Sequence, residues 1–404
     1  MLRRCSLEKP KICWHSQSGL LVRMKITILG CGYIGSVVAT DLARSLPSAE
    51  IVIADKSLSR SCETASATRG ENVSGAQLDA RNRLELVSAL KKCDLVVGTL
   101  PGDVGYHSVR AAIAAGVNMV DVSYMPENPV QLSRSAEKAG VTVVPDCGVA
   151  PGISNVLIGH SLSRLDKVDS IYIMVGGLPE IPVPPLGYTI TWSAEGLIDE
   201  YTRKAKIVKD GRVVSVGALT GLEVVDFPGV GRLEAFYTDG LRTLIHTVRD
   251  VRTMWEKTLR YPGHVAKIQL LKALGFFDKK PVQIEDTSLP PRKLTSRLLE
   301  AKLRRPNVKD ILALKVEVCG MRRNEETHFI YHLLDHCEQK HRVSAMARTT
   351  AYPASVVAQL VARGEIRAKG VVPLETLSVE DRLFKRIMNE LEKRQIRIVS
   401  QGLS

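Results

Sequence analysis

Short, continuously apolar runs alternate with amphipathic stretches over residues 24–149, and this alternation constrains the fold more than any other feature. The apolar runs are Lys25–Gly30, Ile51–Ala54, Leu95–Leu100, Val117–Val122 and Val141–Pro145. Apolar residues three and four positions apart mark the helical stretches Ser36–Leu46, Leu84–Lys92, Val104–Ala115 and Pro129–Ala139. Strands that are buried on both faces pair in parallel through right-handed crossovers. We therefore predict an α/β fold over 24–150, a Rossmann-type doubly wound parallel sheet.

The pattern changes after Pro151, where alternating strands replace the continuous apolar runs. The predicted strands are Val168–Val175, Tyr188–Ser193, Leu233–Tyr237, Lys315–Met321, His328–Asp335 and a hairpin over Ile207–Val216 that turns at Asp210–Gly211. The predicted helices are Gly240–His246 and His264–Leu274. This sequence of elements predicts a second α+β domain over 151–350 with a mostly antiparallel sheet.

The two ends of the chain differ from these domains. Residues 351–404 contain two amphipathic helices, Pro353–Arg363 and Val379–Arg394, which we expect to return to the first domain because each needs a face to pack on. Residues 1–23 are basic and contain no apolar stretch of the length that a secretory signal requires. We expect this extension to be disordered or not part of the fold.

Composition excludes several classes of function. The formal net charge of +13 arises from spread-out basic residues rather than from a basic run interleaved with aromatics, so no specific nucleic-acid partner is predicted. The chain lacks the roughly 18 consecutive apolar residues of a membrane span. None of the eight cysteines forms a Cys-x-x-Cys pair, which favours reduced cysteines and a cytoplasmic location.

A glycine-rich loop joins the first strand to the first helix. Gly30-Cys31-Gly32-Tyr33-Ile34-Gly35 follows the strand directly and opens the helix. The first glycine permits the tight turn, the second allows the backbone to approach a pyrophosphate, and the third brings helix and strand together. The N–H groups of the helix N-terminus, including those at Tyr33 and Ile34, then face the phosphates. The loop predicts a dinucleotide site.

Asp55 ends the second strand, about twenty residues after the loop. A carboxylate at this place accepts hydrogen bonds from the ribose hydroxyls and repels a 2′-phosphate, which favours NAD and makes NADP the second choice. Lys56 and Arg60 lie nearby and soften that preference. The alternative is that Asp55 only caps the next helix.

Other strand ends are expected at the same edge of the sheet, because ligands bind where parallel strands end. Leu100 and Pro101 are predicted beside the nicotinamide ribose, and Asp79 near the adenine or, equally, as an ordinary loop residue. The next strand end carries three polar residues, Asp121, Ser123 and Tyr124.

Several stretches resemble the saccharopine dehydrogenase family, and within it most the lysine 6-dehydrogenase group. The matching stretches are 121–124 (DVSY), 145–155 (PDCGVAPGISN), 187–193 (GYTITWS), 234–242 (EAFYTDGLR), 259–264 (LRYPGH) and 346–350 (MARTT). The resemblance extends from Met24 almost to the end of the chain. It implies a Rossmann domain, a second α+β domain for substrate and homodimer contacts, and NAD(P)-dependent chemistry at a carbon–nitrogen bond.

One position departs from the family pattern. Saccharopine-forming reductases carry Asp in a Gly-x-Asp-Pro-Gly loop, whereas this chain has Ala150 there, between Gly148 and Pro151-Gly152. The loss of that polar contact favours a smaller amine, such as lysine.

The chemistry of amine oxidation suggests further candidates. A lysine amine has a pKa of about 10.4, so the site must take a proton from it. Asp146, Tyr124 and His264 are the predicted catalytic residues, and Asp121 and Ser123, at the strand end that also carries Tyr124, are predicted to bind the substrate. An arginine would bind the substrate carboxylate, with Arg242 as the first choice and Arg260 as the second. Alternatively, Arg242 pairs with Asp239 or Glu234, and His264 only caps its helix.

Two groups of residues in this sequence are given no metal-binding or catalytic role. His328, His332 and His336 share a strand face, where consecutive side chains stand roughly 13–14 Å apart, so no common metal site is predicted. Cys147 adjoins Asp146 but no histidine is placed to activate it, which favours a packing role.

The resulting hypothesis is an NAD-dependent oxidoreductase that deaminates an amino-acid side-chain amine, with L-lysine converted to the 6-semialdehyde and ammonia. One alternative is a saccharopine- or carboxynorspermidine-type reductase that works by reductive condensation. An alternative of another class is a non-catalytic NAD-binding sensor.

Overall fold

The computed structural model describes residues 23–305, 308–338 and 343–401. The predicted disordered extension therefore lies, except for Arg23, outside the described residues. The described residues form two compact units, one within residues 23–156 and 350–394, the other within residues 157–349 and 395–401. Among the described residues, no helix is long and apolar enough to cross a membrane.

The first unit is built on a parallel sheet. Its strands are β1 (Lys25–Leu29), β2 (Glu50–Asp55), β3 (Val73–Gln77), β4 (Leu95–Gly98), β5 (Asn118–Asp121), β6 (Thr142–Val144) and β17 (Gly370–Val371). They lie in the order β17-β6-β5-β4-β1-β2-β3. The order reverses at β1, which pairs with both β2 and β4. This reversal is the topological switch point at which doubly wound sheets bind ligands.

Helices connect these strands. They are α1 (Tyr33–Ser45), α2 (Leu58–Ala67), α3 (Arg83–Leu90), α4 (Gly102–Ala115), a 3-10 turn (Pro129–Leu132) with α5 (Ser133–Lys138), α12 (Leu374–Leu377) and α13 (Asp381–Lys393). Two further helices, α6 (Ile153–Leu162) and α11 (Ala345–Ala362), contain the positions at which the chain passes from one unit to the other. Helices cover the sheet, so its central strands are buried along most of their length.

The second unit is built on a mixed, mostly antiparallel sheet. Its strands are β7 (Lys167–Pro179), β8 (Ala205–Lys209), β9 (Arg212–Val216), β10 (Glu223–Phe227), β11 (Gly231–Tyr237), β12 (Thr253–Arg260), β15 (Asp310–Arg322), β16 (Glu325–His336) and β18 (Ile398–Gln401). The main path is β10-β11-β12-β7-β15-β16-β18, and β12 with β7 is its parallel pair. Outside this sheet lie a hairpin and four helices: β13 (Val282–Ile284), β14 (Thr287–Leu289), α7 (Ala194–Thr202), α8 (Leu244–Thr247), α9 (His264–Ala273) and α10 (Pro291–Leu303).

The architecture confirms the predicted fold class, but some predicted strands and helices differ from those in the structure. The strand predicted over Tyr188–Ser193 is wrong, because Tyr188 and Ile190 pack into the apolar cluster of α7 and Ser193 caps that helix through Gly196 N. The helix predicted over Gly240–His246 is also wrong over most of its length, since only Leu244–Thr247 is helical.

The C-terminal elements differ in two ways from the prediction. α11 begins at Ala345 and contains Pro353 in its interior, because burial of neighbours such as Ala351 and Ala354 offsets the hydrogen bond that proline removes. β18 pairs with β16, so residues 395–401 belong to the second unit rather than to the first. Among the cysteines, Cys31, Cys93, Cys147, Cys319 and Cys337 are free thiols, whereas Cys62 is disulfide-bonded, against the expectation of reduced cysteines.

Candidate functional site

The glycine turn between β1 and α1 has the geometry of a pyrophosphate cradle. Gly30 has a φ of +100° and its N–H donates to Ala54 O at 2.8 Å. A Cβ at Gly35 would overlap Gly30 O, so only glycine lets α1 approach this turn. A Cβ at Gly32 would meet nothing within 4 Å, which leaves open space over the backbone there. No side chain caps α1 at Gly32, and its first turn carries no acidic residue, so the helix N-terminus suits a phosphate.

Asp55 lies next to this turn. Its Oδ2 accepts from Cys31 N at 3.2 Å and its Oδ1 from Ser57 N at 3.0 Å. Burial raises the pKa of Asp55, but the hydrogen bonds from Ser57 and Cys31 and the charge of Arg60 bring that pKa below its ordinary value. Asp55 is therefore an ionised, half-buried carboxylate beside the phosphate cradle. The alternative role as a helix cap belongs to Ser57, whose Oγ accepts from Arg60 N.

The ends of β4 and β5 continue the same edge. Thr99 donates from its N–H to Leu29 O at 2.9 Å, which ties the end of β4 to β1. Asp121 is fully buried, and both the N–H (2.8 Å) and the hydroxyl of Ser123 donate to its Oδ1. A Cβ at Gly98 would overlap Asp121 Oδ2, so the glycine makes room for this carboxyl group. The predicted strand-end residues Asp121 and Ser123 are thus brought together.

Asp146 lies in the loop that follows β6. It is 3% exposed and adopts a φ of +55°, in the left-handed region. Burial raises the pKa of the Cys147 thiol well above its usual range, and the charges of Asp121 and Asp146 raise it further. Both carboxyl groups therefore lie near this thiol, which is fully buried, in line with the predicted packing role. Asn155 fixes the loop by accepting from Gly152 N at 3.0 Å and donating to Glu375 Oε2 at 2.9 Å.

The remaining predicted residues of the first unit surround these groups. Tyr33 is 56% exposed and Ile34 is half-buried, at the start of α1. Asp79 is exposed and its Oδ1 accepts from Arg81 N. Leu100 and Pro101 lie between β4 and α4, and Tyr124 is half-buried.

In the second unit, Arg260 is held inside the protein. Its Nη2 donates to Glu200 Oε1 at 2.6 Å, its guanidinium lies 4.6 Å from the centre of the Tyr188 ring, and it is 3% exposed. Burial raises the pKa of Glu200, and the charge of Arg260 opposes that rise. These contacts favour a structural role for Arg260 over the predicted binding of a substrate carboxylate.

His264 is buried at the start of α9. Its Nδ1 lies 2.9 Å from Leu186 O and its Nε2 lies 2.8 Å from Tyr201 Oη. Because the carbonyl can only accept, Nδ1 carries the proton and Nε2 accepts from the tyrosine. Burial and the charge of Arg260 lower the pKa of His264 to about 3. The imidazole is thus neutral and fully engaged, which favours a structural role over the predicted catalytic one.

Arg242 lies near a carboxyl group that the sequence analysis missed. Its predicted partner Glu234 instead accepts from Gly263 N and Val265 N at the start of α9. Glu256, on β12, is 4% exposed, and its Oε2 has no hydrogen-bond partner among the described residues. Burial and the charges of Glu200 and Asp239 raise the pKa of Glu256 well above its usual range, and Arg242 opposes that rise.

The sequence around β12 gives only a weak indication that Glu256 is buried beside other charged residues. In β12, the adjacent charged residues Glu256 and Lys257 interrupt an otherwise strand-like run. The charged residues that act on Glu256 include Arg242 and Glu200, which lie 14 and 56 positions before it in the sequence. A sequence pattern cannot bring such distant residues together. Only the packing of β12 does so.

Two family models and a solved structure match this chain. A model described as the saccharopine dehydrogenase NADP binding domain matches residues 26–144, and one described as the saccharopine dehydrogenase C-terminal domain matches residues 148–396. The solved apo saccharopine dehydrogenase (L-Glu forming) of Saccharomyces cerevisiae superposes with a TM-score of 0.74 at 19% identity, over 94% of this chain and 100% of that one. That similarity supports the fold.

Two curated relatives are similar in sequence. The mitochondrial alpha-aminoadipic semialdehyde synthase of Bos taurus is 28% identical over 280 residues, which cover 66% of this chain and 30% of that protein. Saccharopine dehydrogenase [NADP(+), L-glutamate-forming] of Schizosaccharomyces pombe is 26% identical over 295 residues, covering 69% of this chain and 64% of that protein. The chain thus matches less than two thirds of the length of either relative. The two domain models together cover nearly all of the sequence, and the chain belongs to the saccharopine dehydrogenase family, as its motifs predicted.

Proposed function

We propose that this protein is a nicotinamide-dinucleotide-dependent oxidoreductase that acts on a carbon–nitrogen single bond of an amino-acid-derived amine. The observation that carries the proposal is the match of both family models, in order, to one chain whose glycine turn has the cradle geometry described above. A bound nicotinamide would supply the hydride acceptor. The amine then becomes an imine, and water splits it into a carbonyl compound and a free amine or ammonia.

The roles of the chain's own residues follow from chemistry. The turn at Gly30, Gly32 and Gly35 binds the pyrophosphate, and Asp55 orients the ribose. Asp146 takes the proton that the amine loses, since it is a buried carboxyl group on the loop after β6. Arg242 binds the substrate carboxylate. Tyr124 and Asp121 stay candidates for the proton transfer.

We infer a secondary amine as the substrate class. Support comes from the relative whose name states that it forms L-glutamate from saccharopine with NADP(+). The oxidative deamination of L-lysine is the second candidate, and one observation favours it. Ala150 offers no polar group in the loop between Gly148 and Gly152, where saccharopine-forming reductases carry an aspartate.

The decisive experiment follows the absorbance of the reduced nicotinamide with saccharopine and with lysine, each with NAD⁺ and with NADP⁺. Formation of L-glutamate from saccharopine supports the secondary-amine proposal. Release of ammonia from lysine would replace it with the second candidate. Cofactor binding without turnover of any amine in a panel would instead support the non-catalytic sensor.

We propose further that NAD is preferred over NADP, although the family model and the fission-yeast relative carry NADP in their names. The carboxylate of Asp55 is ionised and would lie against a 2′-phosphate. Replacing it with Asn should lower the ratio of kcat/KM for NAD⁺ to that for NADP⁺ by roughly tenfold, a change of about 1.4 kcal/mol. Glu71→Gln, at an exposed turn of the same unit, is the matched control and should leave the ratio unchanged. An unchanged ratio in Asp55→Asn would contradict the preference.

Three expectations stay predictions: a homodimer, the lack of a nucleic-acid or membrane partner, and a cytoplasmic location. Sedimentation of the purified chain would test the first.

A further inference from the structure

We propose that Glu317, Cys319 and His328 form a binding site for a zinc-class divalent cation on the sheet of the second unit. This proposal is independent of the oxidoreductase function. The sequence predicts no common metal site for His328, His332 and His336, but the structure brings His328 beside two other types of ligand, a carboxylate and a thiol.

Strand pairing brings the three side chains together. Cys319 on β15 lies opposite His328 on β16 in the antiparallel register. Glu317 lies two positions before Cys319 and therefore on the same face of β15. The register with β7 shifts directly after Cys319, and a bulge of this kind re-aims side chains.

The distances between ligand atoms are within a few tenths of an ångström of those in a tetrahedral metal centre. Cys319 Sγ lies 3.2 Å from His328 Nδ1 and 3.7 Å from Glu317 Oε1, and these last two atoms lie 3.8 Å apart. Metal–ligand bonds of about 2.0–2.3 Å at tetrahedral angles place ligand atoms roughly 3.3–3.6 Å apart. Small side-chain adjustments thus suffice to centre an ion.

A second carboxylate, that of Glu326, places the proton of His328 on the nitrogen that faces away from the site. His328 Nε2 lies 3.2 Å from Glu326 Oε1, so Nε2 carries the proton and Nδ1 is left as the acceptor that faces Cys319. A carboxylate on the far nitrogen is the usual support of a metal-bound histidine. His328 is about half exposed, so an ion can reach the site from solvent.

The chemistry of the donor set selects the ion. Thiolate, imidazole and carboxylate together suit Zn²⁺ rather than Mg²⁺ or Ca²⁺, which prefer oxygen ligands alone. Binding would replace the thiol proton by the metal and release that proton to water. Lys315 Nζ holds Glu317 Oε2 at 2.8 Å, which leaves Oε1 directed to the ion.

The test titrates the purified full-length chain with Co²⁺ and follows the near-ultraviolet absorption of a cobalt–thiolate bond, then displaces the Co²⁺ with Zn²⁺. We expect one bound ion per chain with this absorption. Cys319→Ser should abolish the absorption, and His328→Gln, at an exposed position that tolerates change, should weaken binding more than tenfold. Glu326→Gln should weaken binding roughly 10-fold, as supporting carboxylates do.

Matched controls are His332→Gln, on β16, and Cys337→Ser, directly after the end of β16; both residues lie outside the cluster, and both variants should bind as the unsubstituted chain does. A thermal melt gives a second readout, because an ion that binds only the folded state raises Tm. Zn²⁺ should raise Tm for the unsubstituted chain and the controls, and not for Cys319→Ser. The proposal is overturned if no cobalt–thiolate absorption forms, or if it persists in Cys319→Ser.

Discussion

The two units use polar side chains in opposite ways. In the first unit, polar groups stand at the carboxyl ends of parallel strands, and backbone N–H groups hold them, as Cys31 and Ser57 hold Asp55. In the second unit, charged side chains are buried and hold one another, as Arg260 and Glu200 do. The first arrangement leaves functional groups available to a ligand, whereas in the Arg260–Glu200 pair the charged groups stabilise the protein's own structure.

This difference determines how each unit should respond to substitution. Where backbone groups form the ligand site, replacing one glycine at which two backbone segments lie in close contact should abolish ligand binding. Where charges hold one another, removal of one leaves the other buried without its partner, which costs far more than the pair contributes. Substitutions in both units test this contrast.

The largest expected effect lies in the second unit. Arg260→Met should lower the free energy of unfolding by about 3–5 kcal/mol, because Glu200 then stays in a buried site without a cation. Urea denaturation at neutral pH measures this. The double variant Arg260→Met/Glu200→Gln should recover most of the loss. Equal stability of the single and double variants would mean that packing of the arginine, rather than its charge, is what matters.

The next effect lies in the first unit, at the glycine turn. Gly35→Val should lower the free energy of unfolding by about 1–3 kcal/mol and abolish dinucleotide binding, because its side chain would overlap Gly30 O and push α1 away. Calorimetric titration with NAD⁺ and with NADP⁺, beside a urea melt, measures both changes.

Gly32→Ala is the matched control for this turn. Its Cβ would meet no protein atom within 4 Å, so the fold should keep its stability while the affinity for the dinucleotide falls. Unchanged affinity in Gly32→Ala would show that the cofactor does not approach this backbone.

The contrast between the units also explains what could be predicted from the sequence. The glycine turn, Asp55 and Asp121 were predictable, because a regular strand–turn–helix repeat fixes where strand ends lie. Glu256 and the Arg260–Glu200 pair were not, because the residues involved are far apart in the sequence and packing alone joins them.

The strand predicted over Tyr188–Ser193 failed for the same reason. Its apolar residues are buried against α7 rather than paired in the sheet. Local alternation shows that a residue is buried, but the neighbour against which it packs is a property of the whole fold. The same limit applies to His264, which has both a helix start and a family-like motif around it and is nevertheless enclosed by Tyr201 and Leu186.

The smallest effect concerns the pH dependence that this enclosure produces. The pKa of His264 is about 3 in the folded chain and about 6.5 when unfolded, so between these values the unfolded state binds a proton that the folded state does not. This histidine therefore contributes its full stabilisation above pH 6.5, and the contribution is lost as the pH falls, by at most about 1.4 kcal/mol per pH unit.

The variant His264→Gln should have a lower free energy of unfolding at pH 7. Its free energy of unfolding should also fall less between pH 6.5 and pH 5 than that of the unsubstituted chain, by about 2 kcal/mol over that interval. Urea melts of both proteins across this range measure the slope, with His336→Gln, at an exposed site of the same unit, as the control. Parallel curves for the unsubstituted chain and His264→Gln would mean that His264 takes up a proton in the folded state, which would return it to the set of residues available for catalysis.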